Sequence, residues 1–206
     1  KVEYVTRLYD EELHILIRRG DNERDFVDSL RGKRLSLGSQ GSGTRMTAQI
    51  LLGDLGLATF ENLQYSGHDF VDAELELQNS VSLSGMSDRI AALRDGKIDA
   101  IFYVAGKPVS AFAGLGREFQ LLEIGRDVQR RLSKIYQTTT LTNSDYPELV
   151  QQQEINTIAV PAILVAYDFQ GSGKRSVLAA FVRSLRTQLP NLKSKAKPAY
   201  AGARTS

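Results

Sequence analysis

The segment LRGKRLSLGSQGSGTRMTAQILLGDLGL, Leu30–Leu57, decides the fold. Arg34–Leu37 is a short apolar run with strand character, and Gly38–Thr44 is a glycine-rich turn. The run Ser42–Leu55 then carries Met46, Ile50, Leu51 and Leu55 at helical spacing, and Gly56 stops it. Strand, turn and helix in this order open a βαβ unit. Such a turn sets unpaired backbone N–H groups beside the positive end of a helix, and its glycines let a ligand come close to the backbone. Ser42 or Thr44 can cap the helix or offer a hydroxyl. The turn is an anion cradle by its physics; a tight turn with a capped helix and no ligand is the plainer alternative.

Spacing narrows the anion. A Walker loop needs G-x-x-x-x-G-K-[ST]; Gly38 and Gly43 fit, but Thr44 stands where lysine belongs and Arg45 comes one place late. A dinucleotide fingerprint needs G-x-G-x-x-G, and glycines at 38, 41 and 43 have the wrong spacing. A second lure, GSGKRS at Gly171–Ser176, has Asp168 at the first Walker glycine and Arg175 after Lys174, so it reads as a loop and helix start. No nucleoside triphosphate is expected at either place. The serine-rich cradle suits a carboxylate better than a phosphate.

Outward from this segment, strands and helices alternate. Val2–Arg19 reads as two extended pieces, Met86–Arg94 as a helix with Ile90 and Leu93 on one side and Gly96 as its stop, and Ile98–Val104 as a strand buried on both faces. Pro108 is expected to open a helix through Gly116. Phe119–Ile124 and Lys134–Thr140 read as strands around a short helix, Arg126–Leu132, and Tyr146-Pro147 makes a turn. Ile155–Tyr167 reads as a strand pair bent at Pro161, and Ser172–Leu189 as the last helix. Asn62–Tyr65 is a candidate strand, and His68–Gly85 an insertion or hairpin. The alternation predicts an α/β fold with a mostly parallel sheet and helices on both faces, five-stranded over Leu35–Leu141.

Composition bounds the function. The chain has 206 residues, 42% apolar and 24% charged, with net charge +2, as in an ordinary globular protein of one large or two small domains. That balance argues against nucleic acid or a membrane surface as partner. The absence of cysteine excludes disulfide and zinc-thiolate chemistry. No run approaches the ~20 apolar residues of a membrane span. The sequence opens at Lys1, as a processed or cut form does. Of the two histidines, His14 lies in an apolar strand and reads as a packed, hydrogen-bonded core residue, and His68 lies in a polar loop. Among Asp10, Glu11 and Glu12, adjacent carboxylates do not share a face, and general acid–base work would need one of them to face a distant partner. No constellation points to an enzyme, a metal or a cofactor.

The segments LYDEELHILIRR, SLRGKRLSLGSQGSGTRMTAQILLGDLGL, MSDRIAALRDGKIDAIFYVAGKPVSAF, LTNSDYPELV and INTIAVPAILVAYDF occur in this order. Together, over Tyr4–Leu189, they resemble the TAXI-type solute-binding proteins of TRAP transporters. The resemblance implies a two-lobed flytrap of the periplasmic-binding-protein class. It would lie outside the cytoplasmic membrane, capture a small organic acid or amino acid, and deliver it to a TRAP-type membrane permease. It implies that the GSGT turn faces the interlobe cleft, making Gln40, Gly41, Ser42, Gly43 and Thr44 ligand-cradle residues. By its place after the strand Ile98–Val104, the YVAGKP turn should face the same cleft, since ligands sit at the carboxyl ends of strands in open α/β sheets. Tyr103, Gly106 and Lys107 are the candidates there, with Tyr9 and Glu12 at the crossover. Against the family pattern, most of the first lobe is missing. The expected division is a crossover strand over 1–20, the ligand-binding lobe over 21–145, a return strand and helix of the incomplete first lobe over 146–189, and a basic tail over 190–206. The rival readings are a ligand-sensing regulatory module on the same fold and an enzyme on a flytrap-like fold.

Overall fold

The computed structural model describes residues 1–20, 29–39, 41–57, 85–152, 154–168 and 171–195. The candidate strand Asn62–Tyr65, nearly all of the expected insertion His68–Gly85, His68 itself and the tail beyond 195 lie outside the described residues.

The first strand, β1, runs unbroken over Val2–Arg18, where two pieces were expected. The predicted run Arg34–Leu37 forms a strand only at Leu35–Ser36, β2. Helix α1, Gly43–Asp54, begins at the Ser42 cap and ends at Leu55, with Gly56 following at φ 68°. Its buried face is Arg45, Thr47, Ala48, Leu51 and Leu52. Met46, expected on that face, is exposed, because at about 100° per residue it lies on the side of the helix opposite 45, 47, 48, 51 and 52. Helix α2 is Met86–Arg94 and strand β3 is Ala100–Ala105. The helix expected after Pro108 is only a 3₁₀ turn, Ser110–Phe112. Gly114, at φ 75°, and Gly116 resist helix there. Strand β4 (Phe119–Leu121), helix α3 (Arg126–Leu132) and strand β5 (Gln137–Thr142) follow. Strand β6, Glu154–Tyr167, passes through Pro161 as one strand, and helix α4, Ser172–Lys195, contains Pro190.

The strands form one six-stranded sheet in the order β2-β3-β1-β6-β5, with β4 also on β1. The fold is α/β, but the sheet is not mostly parallel. Only β2 and β3 are seen to run parallel, Leu35 opposite Ala100. β1 is antiparallel to β3, with Glu12 opposite Ala105 and Ile17 opposite Ala100, and antiparallel to β4. β5 is antiparallel to β6. Strand–helix alternation tells what lies between consecutive strands; it does not tell that β1 inserts itself beside β3.

The sheet carries core on both faces, as the doubly apolar strands require. Leu13, Ile15 and Ile17 of β1, with Ala100 and Phe102 of β3, meet α1 and α3 on one face. Leu16 of β1 and Ile101 of β3 meet α2, Phe112 and Tyr146 on the other. Side chains of a strand alternate, so one strand feeds both layers. At the entrance to β3, the Asp99 carboxylate accepts from Arg34 Nε (2.9 Å), Arg34 Nη2 (2.9 Å) and the Arg34 backbone N–H (2.8 Å), fixing β2 beside β3.

The chain divides into two compact units, Glu11–Val160 and a smaller one of Lys1–Asp10 with Pro161–Ser206. All the buried core lies in the larger unit; among the described residues of the smaller unit none is buried. In the smaller unit the Asp168 N–H donates to the Lys1 carbonyl (2.9 Å), and Ile163, Val165, Tyr167, Val177 and Phe181 are exposed.

Candidate functional site

Two turns of the larger unit emerge at one edge of the sheet. β2 and β3 are parallel neighbours, so the turn after β2 (Gly38–Ser42) and the turn after β3 (Gly106–Val109) leave at the same end. A hydrogen bond ties them: the Val104 N–H donates to Thr44 Oγ1 (3.1 Å). β1 runs the other way, so its residue Glu12, opposite Ala105, arrives at this edge too.

The glycine turn is built locally. The Ser42 hydroxyl accepts from the Arg45 N–H (3.2 Å), and the Ser42 carbonyl accepts from Met46 N–H (3.1 Å), so Ser42 caps α1. The N–H groups of Gly43 and Thr44 have no partner among the described residues. Thr44 spends its oxygen as acceptor and keeps its O–H to donate. Gly38 is the glycine the turn cannot replace: at φ 99°, an added Cβ would lie 3.0 Å from Ser42 Oγ. At Gly43 an added Cβ would meet nothing within 4 Å. Gln40 lies outside the described residues.

The second turn is held more elaborately. The Lys107 N–H donates to Glu12 Oε2 (3.1 Å), so the Glu12 carboxylate, nearly wholly buried, grips the turn backbone. Lys107 Nζ donates to the Thr140 carbonyl (2.5 Å) and lies 3.5 Å from Asp145 Oδ2. Tyr103 is half-buried, its ring tilted against Phe112, and Gly106 is half-buried beside it. His14 is the packed, hydrogen-bonded core residue expected, edge-on to Phe112 and Tyr146. Burial dominates its chemistry and pushes its pKa down to about 4, with Lys107 adding to the fall and the Glu12 and Tyr103 carbonyls opposing it. Burial likewise pushes the Tyr146 phenol up, against the Val109 N–H that it accepts.

The structure therefore brings Ser42, Gly43, Thr44, Tyr103, Gly106, Lys107 and Glu12 into one unit around one sheet edge. Gly41 takes part through its turn conformation, at φ 76°. Tyr9 belongs to the smaller unit and is exposed. Sequence reading missed Asp145, Tyr146 and Arg89. Arg89, on α2, donates Nε to Ser36 Oγ (2.7 Å) and Nη2 to the carbonyls of Ser36 (2.9 Å) and Phe102 (2.7 Å), clamping the ends of β2 and β3 just below both turns. No local motif marks these residues, since their partners lie 13 to 132 positions away.

A sequence profile of the NMT1-like family matches residues 1–174. The chain belongs to the NMT1-like family. Among solved structures, an ancestral arginine-binding protein bound to glutamine is similar to this NMT1-like chain at 10% identity and TM-score 0.42, over 94% of this chain. The NMT1-like chain spans 59% of that protein's length. Among its described residues, no group of three or more histidine, aspartate or glutamate side chains could hold a metal ion, and no helix is long and apolar enough to cross a membrane.

Proposed function

We propose that the protein is an extracytoplasmic solute-binding subunit of a TRAP-type transporter, of the TAXI type, which captures a small carboxylate-bearing solute and performs no chemistry on it. The carboxylate is taken by the Gly43 and Thr44 N–H groups and by the Ser42 and Thr44 hydroxyls at the start of α1. Lys107, Gly106 and Tyr103 belong to the same edge and Gly41 to the cradle, while Gln40, the remaining candidate, lies outside the described residues. Tyr9 and Glu12 are the crossover candidates, of which Glu12 acts through its grip on Lys107. The solute is an organic acid or an amino acid, passed on to a membrane permease. The smaller unit, with its exposed strand and helix apolar residues, is read as part of the incomplete first lobe. Membership of the NMT1-like family supports this reading.

One observation carries it: two N–H groups without a partner among the described residues open α1 at the edge to which the turn after β3 is tied. Donors fixed in a backbone cost no reordering when an anion arrives, and the positive helix end favours it. The neighbouring groups do not form a nucleophile–base pair, which is what an enzyme on this fold would need.

The test is ligand titration by calorimetry against a panel of amino acids and dicarboxylates. Ser42→Ala removes a donor to a charged acceptor and should weaken binding about tenfold or more, for a loss of roughly 1.5–3 kcal/mol. Gly43→Val places a branched side chain where the protein leaves open space, so it should block the solute and leave the unit folded. Both variants binding as the wild type does, with unchanged circular dichroism, would make the turn a helix cap and nothing more.

A further inference from the structure

We propose that Glu12, His14 and Tyr146 are positioning residues for the ligand-facing turn after β3, and that both backbone hydrogen bonds holding the turn end on the single residue Glu12. The inference rests on the reading of that turn as ligand-facing.

The turn has two backbone donors around Pro108, which has none of its own. The Lys107 N–H goes directly to the Glu12 carboxylate, 3.1 Å. The Val109 N–H goes to Tyr146 Oη, 2.8 Å. Tyr146 Oη lies 2.7 Å from His14 Nε2, and His14 Nδ1 lies 2.9 Å from the Glu12 carbonyl. A carbonyl only accepts, so Nδ1 carries the proton of the neutral ring and Nε2 offers its lone pair. Tyr146 must then donate its O–H to His14 while accepting from Val109. Every bond in the chain has one possible direction: Val109 to Tyr146, Tyr146 to His14, His14 to Glu12. Glu12 closes the circuit with its side chain on Lys107. His14 and Tyr146 are buried, with exposures of 0% and 2%, so water does not replace a lost bond cheaply. The charged groups acting on His14, besides Glu12 on its own strand, are Lys107 from the turn and Asp145 beside Tyr146.

Such a circuit holds the backbone that carries Lys107, whose ammonium is itself seated on the Thr140 carbonyl beside Asp145. It therefore acts on binding through position and without contact. The experiment combines amide hydrogen exchange by NMR with titration of L-glutamate, on the full chain. In the wild type, long-range ¹H–¹⁵N spectra should show His14 as the Nδ1–H tautomer. Tyr146→Phe should speed exchange at Val109 at least tenfold, leave Leu16 and Phe102 unchanged, and raise the L-glutamate Kd about tenfold. Glu12→Leu should speed exchange at Lys107 at least tenfold, while Glu12→Gln, which keeps an acceptor oxygen, should restore it to within threefold of wild type. If Tyr146→Phe does not fold, the Glu12 pair decides alone. Unchanged exchange at Val109 and Lys107, an Nε2–H tautomer for His14, or a loosened turn with unchanged L-glutamate affinity each overturn the proposal. If L-glutamate fails to bind the wild type while exchange changes as expected, the holding of the turn stands and its role in binding this solute is overturned, while the carboxylate reading is decided separately by the panel titration.

Discussion

His14 shows how a single side chain makes the site sensitive to acid. Its folded pKa, about 4, lies below the ordinary 6.5, so between these values the unfolded chain holds more protons than the folded one. Stability is complete above about pH 6.5 and is lost as pH falls through about 4, by an amount on the order of 3 kcal/mol. Urea titrations at steps from pH 7 to 4 should show this decline, and His14→Gln should flatten it. An equal slope in both chains would show that His14 is not the titrating group. The packed role of His14 was legible from its place in an apolar strand; its partner was not. Tyr146 reads as half of a Tyr-Pro turn, and nothing in the sequence tells that its hydroxyl reaches back across 132 positions.

At the scale of elements, local periodicity told most where packing follows it. Met86–Arg94 and Arg126–Leu132 are helices with the expected bounds, because each carries its apolar residues and stop signals within itself. The failures came where a distant group decides. The segment after Pro108 stops at a 3₁₀ turn, with Gly114 and Gly116 close behind it, and its first N–H is tied to Tyr146. β1 ran antiparallel beside β3 although alternation pointed to parallel neighbours. Of the candidate site, the glycine turn was legible because strand, turn and helix adjoin in sequence. The Arg89 clamp was not, because its acceptors are carbonyls, which every residue has. That clamp is testable. Arg89→Leu leaves the Ser36 and Phe102 carbonyls without their guanidinium donor at about 1–3 kcal/mol each. Chemical denaturation should show a loss of at least about 2 kcal/mol. A loss under about 0.5 kcal/mol would mean that water serves these carbonyls equally well.

For the whole molecule, the distribution of core sets the expectation. Burial of apolar side chains is the main stabilising term, and all of it among the described residues falls in Glu11–Val160. The smaller unit has hydrogen bonds and half-buried contacts but no buried side chain among its described residues. Local opening is easiest where buried apolar contacts are fewest. Hydrogen exchange should therefore label α4 and the end of β6 early, with protection at least about a hundredfold below that of β3 and β1 near Leu16. Equal protection in the two units would show that α4 is packed more firmly than its exposure implies.

The circuit around Glu12 has a consequence for how such a protein changes over generations. The turn after β3 is fastened by its main chain, at Lys107 N–H and Val109 N–H, and those groups are the same whatever side chain is attached. Position 107 can therefore exchange its side chain and keep both main-chain bonds, at the cost of the Lys107 contacts with Thr140 and Asp145. A library randomised at 103 and 107, with 12, 14 and 146 left untouched, samples new solute preferences on an unaltered scaffold. The reverse library, varied at 12, 14 and 146, would spend its diversity on chains whose turn no longer has a fixed address.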